Sequence, residues 1–499
     1  MNYVKTIWAL LPPVIAIIFA LKTKEVYISL LIGIVSGTLL LTNFHLIESL
    51  NLLFDTVVNC LSKPSNIGIL IFLVMLGIIV TLMTKSGGSQ AYGKWAKKKM
   101  KSSKQSLFST FILGVVIFVD DYFNCLTVGS VMREITDEFK VSRAMLAYII
   151  DSTAAPVCII APISSWAAAV SGYTSGDGFQ LFLNTIPFNL YALLTIVMVC
   201  YVIGSEFHLG KMKKHELAAQ NGDVCFGDDS YQTNEEISYN QKGKVLDLIL
   251  PVIVLIMSCI IGMIYTGGFF DGKDLITAFS QCDASRGLVY GTFVTLIFVF
   301  ILYIPRKVLA FVDFCGSFAQ GFKAMTSAIM ILCLAWTLSG ICGAEYLNIQ
   351  GFVKAAVGGS TMAIAVMPVI FFLISLGLAF ATGTSWGTFG ILIPISVTIL
   401  SGNYMMMSVC VGAILVGAVC GDHISPISDT TILSSAGAQC RHIDHVSTQM
   451  PYALTVALCA SIGYILSGVT GSGYIGLVSA LASLAVVMAI IVMTAKRGR

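Results

Sequence analysis

The chain has 499 residues, 57% of them hydrophobic and only 11% charged, with a mean hydropathy of +0.88. That leaves too little polar surface to cover a soluble globule of this length, and a formal net charge of +3, carried by clustered lysines, is no footprint for nucleic acid. A polytopic membrane protein is the class that remains.

Residues 8–21 and 26–44 are the first two apolar runs. Pro12-Pro13 interrupts the first and no small-residue cleavage site follows it, so the run is expected to stay as an anchor. Further runs of membrane length cover residues 66–84, 179–203, 245–265, 288–304, 323–340, 452–468 and 474–494. Four others, at 107–132, 144–170, 361–400 and 405–423, are apolar but cut or ended by polar residues. Of the 14 cysteines, Cys158, Cys259, Cys333 and Cys410 fall within apolar runs, and the set lacks the spacing of a disulfide or zinc framework.

Lysines orient these runs. Lys94, Lys97, Lys98, Lys99, Lys101 and Lys104 form the densest basic loop, which the positive-inside tendency places in the cytoplasm. The stretch 133–143 is charged as well, so residues 107–132 are expected to enter and leave on one side as a re-entrant hairpin. Arg306, Lys307 and Lys323 inside, 351–360 outside and Lys496, Arg497 and Arg499 inside give a second hairpin at 361–400, entering from the other side. The expected organisation is N-terminal spans at 1–45, a first repeat at 46–205, a hydrophilic connector at 206–244, linking spans at 245–304, a second repeat at 305–445 and C-terminal spans at 446–499. The connector, with Asp223, Asp228, Asp229, Glu235 and Glu236, reads as a solvated cytoplasmic linker between the repeats.

Four polar constellations lie in the interrupted runs. The first holds Asp120, Asp121, Asn124 and Thr127. An aspartate at membrane depth costs about 2.5–3.5 kcal/mol on insertion scales, so a cation, a proton or a basic partner must compensate. Adjacent residues on a regular helix do not face each other; a hairpin tip would let both address one site, while either could instead cap the helix that follows. The second holds Asp151, Ser152, Thr153, Ser164 and Ser165 around Pro156 and Pro162, which open the helix and free carbonyls. Its oxygens suit a hard cation such as Na⁺, although serine and threonine also join membrane helices.

The third, Thr382, Gly383, Thr384 and Ser385, carries a glycine turn and hydroxyls but no charge. The fourth runs from Gly421 through Asp422, His423, Ser425, Pro426, Ser428 and Asp429 to Thr430 and Thr431, where His423 could carry or sense a proton. Cys440, His442 and His445 have loose metal-like spacing without a fourth ligand and read as loop residues. Pro162-Ile163-Ser164 and Pro426-Ile427-Ser428 are the same three residues 264 positions apart, each at a helix break, as expected of two interrupted helices in matching halves of a transporter.

The runs 118–131, 148–167, 381–394 and 421–436, in this order, resemble those of the NhaC-type sodium/proton antiporters within the wider ion-transporter superfamily. The resemblance covers nearly the whole chain, and the family motifs match at Asp120, Asp121, Asn124, Asp151, Ser152, Thr153, Pro162, Thr382, Thr384, Ser385, Asp422, His423, Ser425, Pro426 and Asp429. It implies an all-α polytopic membrane protein with two inverted repeats, broken transmembrane helices and two opposed re-entrant hairpins; the charge pattern gives about eleven spans.

The expected function is secondary transport, with Na⁺ and H⁺ competing for Asp120, Asp121, Asp151, Asp422 and Asp429. No cofactor and no other metal is expected. The alternative is a Na⁺- or H⁺-coupled carrier of an amino acid or small carboxylate, held at 382–385. No His-Glu-x-x-His motif or phosphate loop is present, and adjacent aspartates do not provide a specific catalytic spacing. The expected partners are the lipid bilayer of a bacterial inner membrane, the two ions and, in the alternative, a small organic solute; a homodimer is allowed but not specified.

Overall fold

Ser164 and Ser428, the last letters of the repeated tripeptide, have the same local role. Each precedes a helix in extended conformation, and its hydroxyl accepts a hydrogen bond from the backbone N–H three residues on, Ala167 in one case and Thr431 in the other. Both are N-caps, and the proline two residues before keeps the incoming chain out of helical geometry. Ser164→Ala and Ser428→Ala should each lower stability by about 1 kcal/mol. A depressed melting temperature of the purified variants in detergent would register this, and an unchanged one in both would remove the capping role.

This computed structural model describes residues 3–23, 25–173, 178–227, 242–349, 351–352, 355, 361–400 and 402–497. Among them the regular structure is helical, without a strand. The N-terminal region contains α1 (Leu11–Thr23), α2 (Val26–Leu41), α3 (Leu46–Leu61), α4 (Pro64–Ser86) and α5 (Gly88–Lys99). The first hairpin is α6 (Ser103–Val116) and α7 (Asp121–Glu138), followed by a helix broken into α8 (Arg143–Thr153), the short α9 (Ala155–Cys158) and α10 (Ser165–Ser171). Then come α11 (Gly178–Thr185), α12 (Leu190–Ser205), α13 (Met212–Gln220), α14 (Leu246–Thr266), α15 (Leu275–Ser280), α16 (Ala284–Tyr303) and α17 (Phe311–Cys342). The second half repeats the scheme: hairpin α18 (Thr361–Thr382) and α19 (Ser385–Leu400), then a broken helix, α20 (Tyr404–Ile424) and α21 (Asp429–Ala438). Two long helices, α22 (His442–Thr470) and α23 (Gly473–Arg497), end the chain.

The halves correspond through their backbone. At the first hairpin tip the Val119 carbonyl accepts from the Ser165 N–H at 3.0 Å. In the second half, 264 positions on in both partners, the Gly383 carbonyl accepts from the Asp429 N–H at 3.2 Å. Gly383 has φ +70°, a left-handed turn that favours glycine.

Seven described helices are long and apolar enough to cross a bilayer, and nine when each of two bent pairs is one span. The expected eleven is therefore not reached on length and composition, because shorter apolar helices such as Val26–Leu41 and Ser385–Leu400 fall below that length. The run at 179–203 is one of the bent pairs, turning by 47° beside Asn189.

The basic loop is largely a helix, α5, and a helix absent from the sequence reading, α3, precedes α4. The connector also differs from a solvated linker: Met212 and Ala219 are fully buried, and His215 stacks on Phe226 at 4.0 Å. The buried Glu216 carboxylate caps α8, accepting from the N–H and hydroxyl of Ser142 at 3.1 and 2.6 Å. Burial pushes this carboxyl above the usual range, against the Ser142 bonds. Asp228, Asp229, Glu235 and Glu236 lie outside the described residues, as does most of 351–360.

Candidate ion site

At the tip of the first hairpin the backbone leaves helical geometry after Val116 and resumes it at Asp121. Asp120 caps α7, its Oδ1 accepting from the Phe123 N–H at 3.0 Å, so the capping role weighed for this pair belongs to Asp120. Asp121 is fully buried. Its Oδ2 accepts from the Trp166 indole N–H at 3.2 Å, and its Oδ1 has no hydrogen-bond partner among the described residues. Asn124 donates to the carbonyls of Gly114, Ile117 and Thr153 at 2.6, 3.0 and 3.3 Å, which ties both hairpin arms to the end of α8.

Asp422, near the end of α20, is the counterpart of Asp121 in one respect. Its Oδ2 accepts from the Thr430 hydroxyl at 2.6 Å, while its buried Oδ1 is unpartnered among the described residues. Neither aspartate has an ion pair there. Two buried carboxylates with one idle oxygen each are poised to accept a cation or a proton.

Asp151 differs. Its Oδ2 is reached by Gln449 Nε2 at 2.6 Å, Thr431 Oγ1 at 3.2 Å and His445 Nε2 at 3.3 Å, and its Oδ1 accepts from Ser434 Oγ at 3.2 Å. Four donors from α21 and α22 saturate it. His445 is therefore not a loop residue: it lies in the first turn of α22 and is fully buried. The metal-like trio is dispersed, with His442 Nε2 donating to the Pro426 carbonyl at 2.8 Å.

The halves interlock around these groups. Ser434 also lies 3.2 Å from Cys125 of α7, and α7 and α21 meet so closely that a Cβ on Gly129 would collide with the Gly437 backbone and one on Gly437 with the Cys125 carbonyl. The Tyr122 hydroxyl donates to Asp429 at 3.4 Å. Asp429 is exposed, unlike the buried Asp121 and Asp422. Trp166 packs against Trp386 and Phe389 of the second hairpin at 5.9 and 5.0 Å.

Most of the hydroxyls proposed as ligands are engaged with backbone. Thr153 donates to Ile149, Thr382 to Leu378, Ser385 to Ala418, Ser425 to Phe380 and Ser164 to Cys158. Thr384 accepts from the Gly387 N–H at 3.4 Å. Ser152 and Ser165 are buried with hydroxyls that have no hydrogen-bond partner among the described residues, and Thr127 is buried in α7. Pro156 opens α9, and Gly421 brings α20 against the Leu376 carbonyl of α18. His423 Nδ1 lies 3.0 Å from the Tyr191 hydroxyl, leaving Nε2 unpartnered among the described residues. With Tyr148, Ser152, Gln449 and Tyr452 they form one buried, closely packed polar cluster. Thr430 and Thr431 end the fourth constellation without a role assigned there, and Ser434, His445 and Gln449 are not among the candidates; of these three only Ser434 lies within a motif run, 421–436.

The profile of the Na⁺/H⁺ antiporter family matches residues 146–469. This chain belongs to that family. An uncharacterized protein of Haemophilus influenzae is 39% identical over 508 aligned residues, covering 98% of this chain and 96% of that protein. More local similarity, 36% over 93 residues, joins 18% of the chain to 20% of a malate-2H(+)/Na(+)-lactate antiporter of Bacillus subtilis. An arginine/ornithine antiporter, ArcD, of Halobacterium salinarum is 38% identical over 96 residues, 19% of this chain and 20% of its own length. The chain is thus a multi-pass membrane protein and a secondary transporter.

Proposed function

We propose that the protein exchanges Na⁺ for H⁺ across the bacterial cell membrane, with both ions using Asp121 and Asp422. The observation that carries this reading is the idle, buried oxygen on each of these carboxylates. A bound cation favours the ionised carboxylate and a proton removes the charge that binds the cation, so each expels the other. The helix N-termini nearby are capped by the protein itself, at Asp120, Ser164 and Ser428, which favours a cation over an anion in the centre. Asp151, saturated by donors, would serve as the fixed anion that holds α21 and α22 around the site.

Purified protein in liposomes should acidify or alkalinise the lumen when a Na⁺ gradient is imposed, as read by an internal pH dye. Absence of any Na⁺-dependent proton movement, in either gradient direction, would remove the reading. The second reading, coupled exchange of an amino acid or small carboxylate, is favoured by the names of the locally similar antiporters. Uptake of labelled malate, lactate, arginine or ornithine with and without the Na⁺ gradient separates the two.

A further inference from the structure

The structure assigns a second interaction surface, away from the ion site: we propose that α5 is a docking surface for anionic phospholipid at the cytoplasmic leaflet. The helix follows α4, a span, after one residue, Gly87, at φ +77°, and so begins where the membrane ends. Its buried stripe is Ser89, Tyr92, Gly93 and Ala96, at helical spacing. The opposite side exposes Lys94, Trp95, Lys97, Lys98 and Lys99, and Lys101 continues it.

Lys97 is paired with Glu138 of α7 at 2.7 Å. For the ammonium groups of Lys94, Lys98, Lys99 and Lys101 no ion pair or hydrogen bond occurs among the described residues. Trp95 is 52% exposed, beside Tyr92 at 5.7 Å. Four unpaired lysines around an exposed indole, at the end of a span, complement lipid phosphates and the interfacial zone together. The basic face is cytoplasmic by the positive-inside tendency, where anionic headgroups concentrate lysines by direct attraction.

The surface is mechanically connected to the transporter. Gly93 lies against Val131 of α7, and the Lys97–Glu138 pair fixes the same two helices. Since α7 begins at Asp121, lipid held on α5 bears on the hairpin that carries one of the two idle carboxylates.

The test uses full-length protein in nanodiscs of phosphatidylcholine alone, or with about one third phosphatidylglycerol. The variants are K94Q/K98Q/K99Q/K101Q and the charge-preserving K94R/K98R/K99R/K101R. Wild type and the arginine variant should melt higher in the anionic discs and retain phosphatidylglycerol through detergent extraction, at least about fivefold more than the glutamine variant. The glutamine variant should melt alike in both discs. Equal response of wild type and glutamine variant overturns the proposal, as does loss of the response in the arginine variant. A stabilisation of wild type by inorganic phosphate in phosphatidylcholine discs, equal to that from the lipid, also overturns it. These readouts need no transport, so they stand or fall separately from the exchanged ion.

Discussion

Asp121→Asn should nearly abolish Na⁺-driven proton movement while leaving the melting temperature at or above that of the wild type. The replacement is isosteric, its amide oxygen can keep the Trp166 indole bond, and a buried oxygen that lacked a donor is exchanged for a neutral group. What disappears is the charge. A charge-assisted ligand contributes about 1.5–3 kcal/mol, so cation binding should weaken by about ten- to a hundredfold or more. The variant also has no carboxyl proton to exchange. Liposome flux and a thermal melt on the same preparation measure both quantities. Retained flux would take Asp121 out of the site, and Asp422→Asn should behave in the same way if the two idle carboxylates work together.

Asp151→Ala has the opposite signature, a large loss of stability. The change leaves Gln449, Thr431, Ser434 and His445 facing a space where a carboxylate had accepted from all four. Breaking a buried charged network from one side costs about 3–5 kcal/mol. Asp151→Asn keeps one accepting oxygen and should be intermediate, at about 1–3 kcal/mol. Chemical or thermal denaturation in detergent ranks the three proteins. If Asp151→Asn melts like the wild type yet carries no ions, Asp151 acts as an ion ligand beside Asp121, and the division between a fixed anion and an exchanging pair is lost.

The breaks were legible in the sequence because they are local. A proline two residues before a serine is enough to open and recap a helix, so Ser164 and Ser428 could be found from three letters each. Asp120 and Asp121 were likewise detectable as costly groups in an apolar run. Their separate roles were not, since one points to its own helix and the other to Trp166, 45 residues away.

The surroundings of Asp151 were harder still. His445 and Gln449 stand 294 and 298 positions from it, and no periodicity within one helix reports a contact at that distance. His445 reads as a loop residue because its metal-like spacing with Cys440 and His442 lacks a fourth ligand, whereas the helix starts at His442 and turns it inward. The packed part of the connector, residues 212–220, is hidden for a related reason. Its composition is that of a solvated linker, but Glu216 finds its donors at Ser142, in the preceding repeat.

The two ties between hairpin tip and broken helix, Val119 to Ser165 and Gly383 to Asp429, are made entirely by peptide groups. Neither tie uses a side-chain group, although the second needs a residue without a Cβ at Gly383, where φ is +70°. The two halves can therefore share one backbone architecture and differ in what the tip carries, acids at Asp120 and Asp121 in the first and hydroxyls at Thr384 and Ser385, 264 positions on, in the second. The scaffold is the same twice; the charge is placed once.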